Sequence, residues 1–174
     1  MPQTLIEPIN LHKKNFSEGV GFFKDDSLTT QQKNLLKKLN GFDAPYLQEK
    51  LIEKGEFSSV EEYQEAFIEF KRYVFLTQIF GNNLAMMSTK VDAIWHQFIL
   101  FTKAYHDFCE DNLQYFLHHT PYINGTPKSK RIEGFMNFKK YYKMIFGEIP
   151  KIWDLDKKDL NENSVCNCDG CDPS

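Results

Sequence analysis

The sequence predicts an all-α fold: one compact domain of four to six helices, with an irregular N-terminal arm and a flexible, cysteine-containing C-terminal tail. Three observations carry this. The chain has 174 residues, enough for one domain at roughly 100–200 residues per domain. Aromatic residues make up 15% of it, including 16 Phe, which supplies the apolar area needed to offset chain ordering. Apolar residues also recur at helical spacing between clear capping signals, and no convincing run of alternating strand residues appears.

The elements follow in order. Residues 1–26 hold Pro2, Pro8, Gly19 and Gly21 and read as an arm whose Phe22-Phe23 pair packs back on the domain. The helical domain spans 27–153. Leu35, Leu36 and Leu39 share one face, with Gly41 as a stop. Asp43 is placed to cap a second helix, with Pro45 in its first turn and Gly55 at its end. Ser58 or Ser59 with Glu61 and Glu62 forms a capping-box pattern before a long third helix that closes at Gly81. Ser88 or Thr89 caps a fourth helix from about Lys90 to Glu110. A turn through His118, His119 and Pro121 leads to a loop over Asn124–Ser129. The last helix runs from about Ile132 to Phe146. Residues 154–174 form an acidic tail with no apolar periodicity to dock it.

Charge and hydropathy exclude several classes of function. A net charge of −3 gives no global pull toward nucleic acid or anionic membrane. The basic residues Lys128, Lys130, Arg131, Lys139, Lys140 and Lys143 gather on the last helix, but they read as a solvated face rather than a nucleic-acid site. The most apolar window, Phe67–Phe80, is interrupted by Glu69, Lys71 and Arg72, so no membrane span is expected. Residues 1–10 show no basic region followed by an apolar run, and the expected location is the cytoplasm. In that reducing setting the four cysteines read as thiols or metal ligands.

The fourth helix carries the chemistry. At 100° per residue, Val91, Ile94, Trp95, Phe98, Thr102, Tyr105 and Cys109 form a core stripe. Cys109 within it reads as a small buried hydrophobe. Asp92, His96, Ile99, Lys103 and His106 form a second stripe. Asp92 and His96 are four apart and meet on adjacent turns. Asp92 could orient the His96 ring while its other nitrogen binds a metal, or both could ligate directly. Ile99 implies that something covers this stripe, and the segment bearing His118 and His119 is the candidate. Adjacent side chains point opposite ways in an extended backbone, so one histidine of that pair joins His96 and the other does not.

The run Val91-Asp92-Ala93-Ile94-Trp95-His96-Gln97-Phe98-Ile99-Leu100, then Tyr105-His106-Asp107-Phe108-Cys109, then His118-His119-Thr120-Pro121 resembles the bacterial and plant glycine-rich domain-containing-protein-like family. The resemblance implies that His96, His118 and His119 belong to one site. Members of that family often end in tracts of Gly and Cys, whereas this chain has only Cys166, Cys168 and Cys171 around Gly170. Those three thiols could wrap a soft ion as a second site, or exchange disulfides.

These readings converge on a divalent transition metal held by His96 with His118 or His119 and Asp92. Zinc suits neutral imidazoles best, and the carboxylate leaves iron or manganese open. A protein-interaction module with structural histidines is the alternative, and its partner would be another protein. The third reading is a metal-dependent enzyme, with Asp92 as ligand or base.

Overall fold

A computed structural model describes residues 28–81, 83–120, 126–153 and 155, together with the backbone of 170–171. The N-terminal arm, the Phe22-Phe23 pair, Pro121, Cys166 and Cys168 lie outside the described residues.

Among the described residues, six α-helices build the domain: α1 (Thr30–Gly41), α2 (Pro45–Glu53), α3 (Val60–Phe80), α4 (Thr89–Leu100), α5 (Thr102–Asn112) and α6 (Lys128–Phe146). A 3₁₀ turn at Lys151–Trp153 follows α6. Side-chain caps start three of the helices. The Thr29 hydroxyl accepts from Gln32 N while Gln32 returns a bond to Thr29 N, Ser59 accepts from Glu62 N, and Ser88 accepts from Val91 N. The second helix differs from expectation. Its N-cap is Ala44, and Asp43 instead accepts from the Ala44 amide at 2.8 Å. Pro45 stands at the first helical position, where its missing N–H costs nothing.

The core is organised around α3, which packs against α1, α2, α4 and α6. It is buried on nearly every side from Ala66 to Thr77, including Glu69, Lys71 and Arg72. Such burial requires partners for the charges. Glu69 accepts from Arg72 Nη1, Tyr142 Oη and Trp153 Nε1, each at 2.7 Å. This carboxylate ties α3 to α6 and to the 3₁₀ turn. Lys71 reaches the Asn40 carbonyl at 3.4 Å and lies 4.7 Å over the Phe67 ring.

The helix expected from Lys90 to Glu110 is two helices. Phe101 leaves the helical region at φ −86°, ψ 60°, and α5 starts anew at Thr102. Neither Gly nor Pro marks the break, so the sequence carries no local signal of it. Tertiary contacts account for it: the Phe101 ring packs on Tyr46 at 4.9 Å, and α5 turns so that Tyr105 meets Trp95. The core stripe therefore keeps Val91, Ile94, Trp95, Phe98, Tyr105 and Cys109 buried, while Thr102 is exposed.

A two-residue antiparallel pairing joins β1 (His119–Thr120) to β2 (Gly170–Cys171). Its register sets His119 opposite Cys171 and Thr120 opposite Gly170. The acidic lead-in to the tail gave no reason to expect this docking.

Candidate metal centre

The site is built on the first two turns of α4. Ser88 fixes the start of that helix, and Lys90 pins it laterally by pairing with Glu62 at 2.8 Å and donating to the Glu56 carbonyl. Lys90 and the Ser58 amide and hydroxyl hold the Glu62 carboxyl down to about 2. Trp95 anchors the inner face of α4. Its Nε1 donates 2.9 Å to the Tyr105 hydroxyl, which in turn donates to the Leu117 carbonyl. This relay fixes the chain's return path two residues before His119.

His119 consequently lands on α4. Its ring sits edge-on to Trp95 at 4.3 Å between centroids, and its Nε2 lies 2.9 Å from Asp92 Oδ1. The other Asp92 oxygen is 3.7 Å from His96 Nε2, and the two imidazole centroids are 4.5 Å apart. One ligand atom from each of Asp92, His96 and His119 falls within 4.8 Å of the others. The three differ in exposure: the side chain of His119 is 5% accessible, that of Asp92 23% and that of His96 54%. One ring is therefore set in the protein wall and the other faces outward.

His118 stands apart from this cluster. It is exposed, and its ring packs on Phe116 at 4.9 Å. Alternation along the extended segment accounts for the separation, since neighbouring side chains leave opposite faces. The remaining polar residues of the second stripe also leave the site, because the break at Phe101 ends their common face. Lys103 pairs with Asp107 at 2.5 Å, and His106 lies near Asp107 and Glu110. Cys109 is a free, buried thiol whose ionisation burial pushes up, in keeping with a packing role.

A cleft of about 570 Å³ opens beside the cluster, with Asp92 and His96 in its wall. Leu51, Ala93, Ile99 and Leu100 give it apolar lining. Lys54 enters from α2 and donates 2.5 Å to Gln97 Oε1. Sequence reasoning missed Lys54 and Gln97 because they come together only through packing of α2 on α4. Ile99 is half-buried in this cleft wall, so the cover expected over it is incomplete.

No curated protein and no solved structure compared with this chain matches it. One family does, and it corrects the glycine-rich resemblance. That likeness rested on a short run in which Trp95, Phe98, Phe108 and Cys109 are core residues. Their spacing reports helix packing, which unrelated helical proteins share. The family described as UCP032817-like matches over residues 32–144, from α1 to the last turn of α6. That span is well over half of the sequence and contains the whole Asp92–His96–His119 cluster, so the chain belongs to the UCP032817-like family.

Proposed function

We propose that this protein is a small helical transition-metal binder whose ligands are Asp92, His96 and His119. The observation that carries this reading is the mutual approach of the three ligand atoms to within 4.8 Å. Two imidazoles and a carboxylate leave coordination positions open. That set suits zinc, with iron or manganese as further occupants. Trp95 and the Tyr105 relay hold the buried ring of His119, as an orienting shell should. Among the described residues no helix is long and apolar enough to cross a membrane, and the proposed setting is the cytoplasm.

The cleft beside Asp92 and His96 favours a second reading, that of a metal-dependent enzyme acting on a small molecule seated there. In it, Asp92, His96 and His119 would hold an ion able to polarise a substrate oxygen, and Lys54, which shares the cleft lining with Asp92 and His96, would meet negative charge. An interaction module would use the same three residues only as a hydrogen-bonded brace. Elemental analysis of protein purified without added metal separates these. The metal readings require close to one ion per chain, lost in His96→Ala with the helical circular dichroism intact. Protein that stays metal-free after equilibration with zinc and iron would leave the brace.

A further inference from the structure

Two polar residues of the cleft, Lys54 and Gln97, take no part in holding an ion. Gln97 is only 7% exposed, yet it lines the cleft wall. Its amide oxygen accepts from Lys54 Nζ at 2.5 Å. An ammonium can only donate, so this contact fixes the orientation of the amide and turns its NH2 group away from Lys54. Among the described residues, nothing accepts from that NH2 group and no carboxylate pairs with Lys54. A buried amide donor left unmet is costly, and the cleft is where an acceptor would reach it. The remaining lining is apolar. Leu51, Ala93 and Ile99 contribute to it, and Leu100 leaves 69% of its surface uncovered there.

Resting on the reading of this cleft as a small-molecule site beside an ion, we propose that its ligand is a small apolar monocarboxylate. The carboxylate accepts from Lys54 Nζ and Gln97 Nε2, and the hydrocarbon lies against Leu51, Ile99 and Leu100. Two neighbouring donors suit the two oxygens of a carboxylate, and bonds to an ionised acceptor are roughly twice as strong as neutral ones. Charge selects a single negative group. Glu56 and Asp92 also line the cleft, so a dianion such as phosphate meets two carboxylates there. Lys54 offsets Glu56, and a divalent ion at the cluster more than offsets Asp92, which leaves attraction for one negative charge. The ion and the carboxylate therefore tighten each other's binding by the same factor. The cleft volume of about 570 Å³ falls within the range of small-molecule sites.

Calorimetric titration of the full chain with hexanoate, with and without equilibration in zinc, tests this. The expected result is saturable binding of one hexanoate per chain, tighter in the zinc-loaded protein. Hexan-1-ol, hexylamine and inorganic phosphate should compete weakly. Lys54→Gln removes the charge and Gln97→Glu sets a carboxylate in the cradle. Each should weaken hexanoate at least about tenfold, the loss of one charge-assisted bond, with zinc uptake and helical circular dichroism unchanged. Zinc uptake without saturable hexanoate binding would overturn the proposal and leave the Asp–His–His centre standing. Hexanoate binding that needs Lys54 in protein that takes up no zinc would keep the cradle and remove the centre. Hexan-1-ol binding as tightly as hexanoate, or phosphate binding more tightly, would overturn the ligand class. Binding that survives both cradle variants but is lost in His96→Ala would place the carboxylate on the ion and overturn the Lys54–Gln97 cradle. Binding of neither zinc nor hexanoate would remove both.

Discussion

His119 Nε2 lies 2.9 Å from Asp92 Oδ1, which ties the chain's return after α5 to the first turn of α4. The bond joins residues 27 apart, and its two ends differ in exposure. His119 is set against Trp95 while Asp92 faces the cleft. Asp92→Ala should therefore cost about 1–3 kcal/mol in urea unfolding, because it removes the carboxylate that the buried His119 ring meets. It should also remove stoichiometric metal. His118→Ala is the matched control, because that ring sits exposed on Phe116, and it should change stability by less than about 0.5 kcal/mol. Equal effects of the two substitutions would refute the asymmetry.

Tyr105 holds the relay that positions this contact. Its hydroxyl accepts from Trp95 and donates to the Leu117 carbonyl, and all three residues are buried. Tyr105→Phe leaves two groups without partners at almost unchanged volume. The expected loss is about 2–4 kcal/mol, with faster amide exchange from Leu117 through Thr120. A loss below about 0.5 kcal/mol would show that the aromatic packing alone sets the return path.

Glu69 holds the other end of the domain. Burial pushes its carboxyl up, and Arg72, Trp153 and Tyr142 act against that push. Both carboxylate oxygens accept from donors, an arrangement suited to the ionised form. Glu69→Ala removes the counter-charge from the buried Arg72 guanidinium, which still donates to Tyr142 Oη at 2.9 Å, and should destabilise by about 3–5 kcal/mol. Glu69→Gln, which keeps shape and one acceptor, should lose less. Equal losses in thermal unfolding would argue that volume matters more than charge at this position.

Much of this arrangement was legible in the sequence. Caps at Ser59 and Ser88, the stop at Gly81 and the buried Val91–Cys109 stripe follow from local rules, because the deciding interactions lie within a few residues. The Asp92–His96 pair follows from helix spacing in the same way. The break at Phe101 was not legible, because it is set by Tyr46 and Trp95 rather than by any local breaker. Nor was the choice of His119 over His118. Alternation says only that one of them faces the helix, and the Tyr105–Leu117 bond decides which. Docking of Gly170–Cys171 depends on backbone pairing, to which side-chain periodicity is blind.

Lys71 provides a pH signature. Burial pulls its ammonium from an ordinary 10.5 down to about 8, with Asp43 opposing the shift. A lowered folded-state value means that the native chain releases this proton before the unfolded chain does. Below about pH 8 both states hold the proton, and the burial penalty is fully present. Between about 8 and 10.5 the unfolded state binds more protons, so this residue's contribution to stability rises with pH. The span corresponds to at most about 3.5 kcal/mol, at roughly 1.4 kcal/mol per pKa unit. The contact with the Phe67 ring favours the charged form and makes the realised span smaller. Lys71→Met should accordingly be more stable than the parent near neutrality, and its advantage should shrink steadily from pH 8 to 10.5. Taking the difference between the two proteins cancels the titration of the other lysines and tyrosines. A difference that stays constant across that range, in urea melts at matched ionic strength, would show that Lys71 keeps its proton in the core.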